Sequence, residues 1–147
     1  MHLNEVLNIG QAALVTVSPD ESLISAARAL QENKIGVLLA TDAAGNAVGI
    51  LSERDVARAV ADHCHESCKG LKAATVSDYM SDNVVVCEIS EEPQTAIWLM
   101  AEYGIRHLPI TERGKLKGMV SSRDVIKVMA DLPLFESKAE ESLAVTL

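Results

Sequence analysis

Gly49-Ile-Leu-Ser52-Glu-Arg54-Asp55-Val56 and Gly118-Met-Val-Ser121-Ser-Arg123-Asp124-Val125 stand 69 residues apart and share one pattern, Gly, two apolar residues, Ser, any residue, Arg, Asp, Val. Chance is a poor explanation for such an octet, which marks an internal repeat. Upstream of it a shift of 70 lays Val15 on Val85, Ala26 on Ala96, Glu32 on Glu102, Ile35 on Ile105, Leu38 on Leu108 and Thr41 on Thr111. The shift changes between Thr41 and Gly49, where Asp42-Ala-Ala-Gly45-Asn46 faces Glu112-Arg-Gly114-Lys115. Turns rich in Gly and Asn are where a hairpin absorbs a change of length, so each repeat contains a hairpin.

The rest of each repeat follows one order. A β-rich run, 14–17 or 84–87, precedes a helix-start signal, Ser18-Pro19-Asp20-Glu21 or Ser90-Glu91-Glu92-Pro93. Leu23, Ala26, Ala27 and Leu30 in one copy, and Ala96, Leu99, Met100 and Tyr103 in the other, recur at three- and four-residue spacing and predict one apolar stripe per helix. Hairpins of 35–40 with 47–51, and of 105–111 with 116–120, supply a sheet to cover that stripe. A second helix is expected just beyond each Ser-x-x-Asp. The fold class is therefore α+β, as two pseudo-symmetric β-α-β-β-α units at 6–62 and 76–130. An inter-unit loop at 63–75 joins them, Val76-Ser-Asp-Tyr-Met80 forms one helical turn at the entry to the second, and an acidic tail occupies 131–147. A unit of this size buries only about 60% of its unfolded surface and is marginal alone, so two must pack together.

Composition narrows the functions open to such a pair. Thirteen Lys and Arg against 21 Asp and Glu leave a formal charge of -8, which opposes a general grip on nucleic acid or anionic lipid. One Phe, two Tyr and one Trp provide almost no platform for stacked bases. No apolar run reaches the roughly 18 residues of a membrane span, and Met1 to Gly10 carries Glu5 and no cation ahead of an apolar region, unlike a secretory signal. A cytoplasmic location is expected. Three cysteines, Cys64, Cys68 and Cys87, are too few and too uneven for a disulfide framework, so reduced thiols are the expectation.

The doubled Gly-x-x-Ser-x-x-Asp element, the Gly104-Ile-Arg-His-Leu-Pro109-Ile run and the 76–80 entry resemble a tandem pair of CBS domains, the cystathionine-beta-synthase type regulatory module. The resemblance covers about residues 6–130. It implies two units packed sheet to sheet about a pseudo-two-fold axis, two related clefts for adenosine nucleotides such as AMP, ATP or NAD-type dinucleotides, and association of pairs into a homodimer. Trp98 and Met129 are candidates for the apolar helix layer that such a dimer would cover.

A carboxylate at a helix start, three residues after a hydroxyl at a strand end, can accept hydrogen bonds from ribose hydroxyls, while the hydroxyl and nearby N–H groups meet a phosphate. Asp55 and Asp124 suit the first role and Ser52 and Ser121 the second; Arg54 and Arg123 could neutralise phosphate or stand solvated. The bland alternative makes both aspartates helix caps. The resemblance further implies crossed clefts, Asp55 with Val85, Arg106 and His107, and Asp124 with Val15, Gly36 and Val37. Arg106 and His107 would draw a polyphosphate to the Asp55 cleft; a partly buried strand histidine is the plainer reading of His107. Leu39 stands where the second unit has Pro109, which leaves the strand geometry of the first unit open.

Cys64-His-Glu-Ser-Cys68, with His63 beside it, lacks the second ligand pair of a structural zinc site. An exposed loop is expected there, with metal binding or redox pairing of the two thiols as minor alternatives, and Cys87 belongs in the core. No nucleophile context or Walker-type loop is found, so no catalytic residue, metal or required cofactor is expected. The leading reading is a stand-alone nucleotide-sensing regulatory module acting on a regulated protein that the sequence does not identify, with AMP, ATP or NAD(H) as ligand. The alternative is a homodimeric interaction protein with non-functional clefts.

Overall fold

The structure is a computed structural model that describes residues 2–10 and 14–131. In chain order the elements are α1 (Leu3–Gly10), β1 (Thr16–Val17), α2 (Leu23–Asn33), β2 (Val37–Thr41), β3 (Ala47–Ser52), α3 (Glu53–His63), α4 (Lys69–Ala73), α5 (Val76–Tyr79), β4 (Cys87–Glu88), α6 (Pro93–Tyr103), β5 (His107–Glu112), β6 (Lys115–Ser121) and α7 (Ser122–Ala130). The strands form two three-stranded sheets, β1-β2-β3 and β4-β5-β6. In each, the first pair is parallel and the hairpin antiparallel, so the α+β class and the duplicated β-α-β-β-α order are as expected.

Registers repeat as closely as the residues do. Val37 pairs Ser52 and His107 pairs Ser121, and both hairpins carry an irregularity at equivalent places, after Ala40 and after Ile110. Pro109 pairs Met119 where Leu39 pairs Ile50, so the Leu-for-Pro difference leaves the strand geometry unchanged. The hairpin turns differ as their lengths require. Arg113 and Gly114, both at positive φ, turn the second within two residues. In the longer first turn the Asp42 carboxylate accepts from the Ala44 and Asn46 amides, each at 2.9 Å, and these bonds hold its pKa below the usual carboxylate value.

Helix starts are read less well from sequence. The Ser18-Pro19-Asp20-Glu21 signal forms a turn, Glu21 N donating to Ser18 O at 3.1 Å, and α2 begins only at Leu23, with Ser22 as its cap. Pro93 does open α6, with Glu92 as cap. The second helix of each repeat starts inside the Ser-x-x-Asp motif, not beyond it, with Ser52 and Ser121 as N-caps.

By contact the chain divides into one unit of 14–85 and another made of 2–10 with 86–131. The repeat boundaries follow similarity; the compact units follow packing, and they exchange the entry segments. α5, which precedes the second repeat in sequence, packs on the first: Val76 N donates to Glu21 O at 2.9 Å, and Val76 and Tyr79 join the core of Val17, Leu23, Leu30, Leu38 and Leu51. α1, which precedes the first repeat, packs on the second: Leu3 N donates to Glu91 O at 3.0 Å, and Leu3 and Val6 are fully buried. Fully burying an aliphatic side chain stabilises by roughly 1.5–3 kcal/mol, so these short segments count heavily in small cores. The paired glycines show the same exchange. A Cβ on Gly49 would overlap the Met80 sulfur, and one on Gly118 would press on Leu7 at 2.9 Å.

Two expectations on the 63–75 segment are corrected. It is not a plain loop, because it holds α4, and its cysteines are not free thiols: Cys64 and Cys68 form a disulfide. Cys64 ends α3 and Cys68 begins α4, and the turn between them brings their Cα atoms to 4.4 Å, within reach of a bridge. Cys87 is buried and free, and burial followed by the charge of Glu91 pushes its thiol pKa up. The acidic tail lies outside the described residues apart from Asp131.

Candidate functional site

Each Ser-x-x-Asp motif folds into the same reciprocal cap. Ser52 leaves β3 in extended geometry, its hydroxyl accepts from the Asp55 amide at 3.2 Å, and the Asp55 Oδ2 accepts from the Ser52 amide at 2.7 Å and the Ser52 hydroxyl at 2.9 Å. Ser121 and Asp124 repeat this at 3.2, 3.0 and 2.6 Å. Neither aspartate is the cap itself, which is serine; each is the third helical residue, reaching back. The bland reading is thereby half met, since the motif does close the helix. It consumes one carboxylate oxygen per motif and leaves Oδ1 beyond the cap.

Strand pairing sets the other expected residues beside the motif of their own unit. In the 14–85 unit, Gly36 O accepts from the Glu53 amide at 2.9 Å and Val37 lies opposite Ser52. In the other, Arg106 O accepts from the Ser122 amide at 2.9 Å and His107 lies opposite Ser121. Arg54, Arg106 and Arg123 are exposed, and the two aspartates are half-buried. Val15 is half-buried before β1 and packs on the core of its unit; Val85 is half-buried at the end of the same unit.

One neighbour of the motif escaped the sequence reading. Arg58, one turn after Asp55, places its guanidinium 3.4 Å from Asp55 Oδ1 and donates to Tyr79 O at 3.0 Å, with its Cζ 5.5 Å from the Tyr79 ring centre. The Tyr79 hydroxyl donates to Asp62 at 3.0 Å, and burial, then that bond to a carboxylate, raises its pKa. His63 meets the same ring edge-on at 6.0 Å. The i, i+3 spacing of Asp55 and Arg58 was available as a signal; the placement of Tyr79 on the first repeat was not. Among the described residues no three His, Cys, Asp or Glu side chains gather as a metal site would require, and no helix is long and apolar enough to cross a membrane.

A family model described as CBS domain matches residues 8–62 and again 76–131. The chain resembles the crystal structure of the CBS-domain containing protein ATU1752 from Agrobacterium tumefaciens, with 34% identity, a TM-score of 0.77, and coverage of 87% of this chain and 92% of that one. It shares its fold with the CBS domain protein PAE2072 from Pyrobaculum aerophilum, solved complexed with AMP (21% identity, TM-score 0.74, 90% of this chain and 100% of that one). The CBS domain pair of protein MJ0100, in complex with 5'-methylthioadenosine and S-adenosyl-L-methionine, is similar to the same degree (24% identity, TM-score 0.74, 88% and 96%). Among curated relatives the chain spans 81% of a 17.7 kDa protein of Acidianus ambivalens at 31% identity, but 62% and 32% of two others.

Proposed function

The chain belongs to the CBS-domain family, and we propose that it is an adenosine-nucleotide-binding regulatory module whose Ser-x-x-Asp motifs hold the ligand and whose output is a change of shape or partner affinity. Support comes from the duplicated cap, in which Oδ2 of each aspartate is spent on the serine while Oδ1 lies beyond the cap. AMP, 5'-methylthioadenosine and S-adenosyl-L-methionine, held by the two similar pairs, have the adenosine half in common and not a phosphate. A carboxylate acceptor suits the ribose hydroxyls of that half.

On this reading Ser52 and Ser121 face phosphate where one is present, Arg54 and Arg123 stand nearby, and the crossed assignment of Val85, Arg106 and His107 to Asp55, and of Val15, Gly36 and Val37 to Asp124, goes with it. AMP, ATP and NAD(H) are the candidate ligands, the protein acts in the cytoplasm as a homodimer on a regulated partner, and it catalyses no reaction. Regulation requires that the nucleotide bind one conformation better than another. A second reading, a homodimeric interaction protein with non-functional clefts, draws on Trp98 and Ile126, which are 61% and 58% exposed. Calorimetric titration with AMP, ATP, NAD and S-adenosyl-L-methionine separates the two. Saturable binding of at least one supports the sensor, and failure of all four leaves only the interaction reading.

A further inference from the structure

The two motifs are equal in their caps and unequal in what surrounds them. Asp55 Oδ1 has the Arg58 guanidinium at 3.4 Å. The residue 69 positions later is Lys127, and among the described residues no ion pair joins it to Asp124. A ligand at the first motif therefore meets an aspartate already engaged by a cation. At the second it meets an aspartate whose Oδ1, among the described residues, has no ion pair.

We propose that Arg58 is a selectivity-determining residue: by occupying the second oxygen of Asp55 it makes the two motifs unequal, so that an adenosine nucleotide fills the Asp124 motif first. This rests on the reading of the motifs as nucleotide sites and reverses the order expected from Arg106 and His107 alone. A ribose diol needs carboxylate acceptors, and both Oδ2 atoms already accept two bonds within the cap. What remains is Oδ1, shared with Arg58 at Asp55 and, among the described residues, without an ion pair at Asp124. The Arg58 side chain is 58% exposed, so the pair is weak and displaceable, and it tunes affinity without abolishing binding.

The test is a set of calorimetric titrations of the full chain with AMP. Asp55→Ala should keep the tight binding step and Asp124→Ala should lose it, weakening the tightest step by roughly tenfold to a hundredfold. Arg58→Gln, which removes the cation and keeps a polar side chain, should tighten AMP by roughly two- to fivefold in the Asp124→Ala background. In the Asp55→Ala background the same change should do nothing, and a merely structural role would move both backgrounds alike. Thermal unfolding checks that each variant folds. Tighter binding by Asp124→Ala than by Asp55→Ala would overturn the order of filling. Unchanged or weaker binding on Arg58→Gln in the Asp124→Ala background would overturn the role of Arg58, while leaving the nucleotide reading intact. Failure of the wild-type chain to bind AMP or any other adenosine ligand would overturn both together.

Discussion

The first repeat closes its core with a segment that follows it, α5, which is tied to α3 by Arg58 bonding to the Tyr79 carbonyl and by the Tyr79 hydroxyl bonding to Asp62. The second closes with a segment from the far end of the chain, α1, and uses aliphatic contacts. The same backbone plan is thus finished by different chemistry. Val76 N to Glu21 O in one unit matches Leu3 N to Glu91 O in the other, and the Thr75 amide to Asp78 bond, at 2.9 Å, matches the His2 amide to Glu5 bond, at 3.3 Å. Tyr79, bonded to Asp62, stands where the second unit has Val6. Duplication conserves the cap and the sheet register, while the side-chain polar bonds that tie the entry segment to the next helix are found, among the described residues, in the first unit.

Exchange of the entry segments can be broken with Leu3→Ala. Leu3 is fully buried, and removing such a side chain costs about 2–5 kcal/mol. Amide exchange should accelerate in β4 to α7, far along the chain, and little in β1 to α3. Acceleration confined to the first repeat would show that α1 serves the repeat it precedes.

Reducing the Cys64–Cys68 bond sharpens the contrast from the other side. Closing a loop of about five residues is worth roughly 2 kcal/mol in the chain-entropy account. Thermal unfolding in a dithiol reductant should show that loss in the first repeat, and a shift shared equally by both would refute the local role.

A smaller effect belongs to the ends of α2 and α6, which stop in the left-handed conformation at Lys34 (φ 54°) and Gly104 (φ 64°). Glycine suits that conformation and lysine does not, so Lys34→Gly should stabilise by up to about 1 kcal/mol and Gly104→Ala destabilise by about as much. Urea midpoints would check both, and opposite signs are the expected result.

Much of this was legible beforehand. The repeat, the β-α-β-β-α order, the hairpins and the position of the motif follow from the octet and its two shifts, because strand pairing and helix capping are local and leave local patterns. The exchange of α1 and α5 was not legible from periodicity. It depends on which of two similar cores takes a short apolar segment, although His2-x-x-Glu5 over Thr75-x-x-Asp78 hinted that the two segments correspond. The Cys64–Cys68 bridge was hidden for a related reason, since it needs α4, a five-residue helix of weak periodicity, to turn the chain back. In the site, the serine and aspartate roles could be read as caps or as ligand groups. The structure supplies the division of labour, one aspartate oxygen to the cap and one beyond it, and adds Arg58.

The central claim is that the Oδ1 side of the motif binds an adenosine ligand, and the double variant Asp55→Ala/Asp124→Ala titrated with AMP beside the wild-type chain tests it most directly. AMP binding should weaken a hundredfold or more, while loss of the aspartate half of each reciprocal cap costs only about 1 kcal/mol of folding stability and unfolding remains cooperative. Undiminished AMP binding by a folded double variant would contradict it.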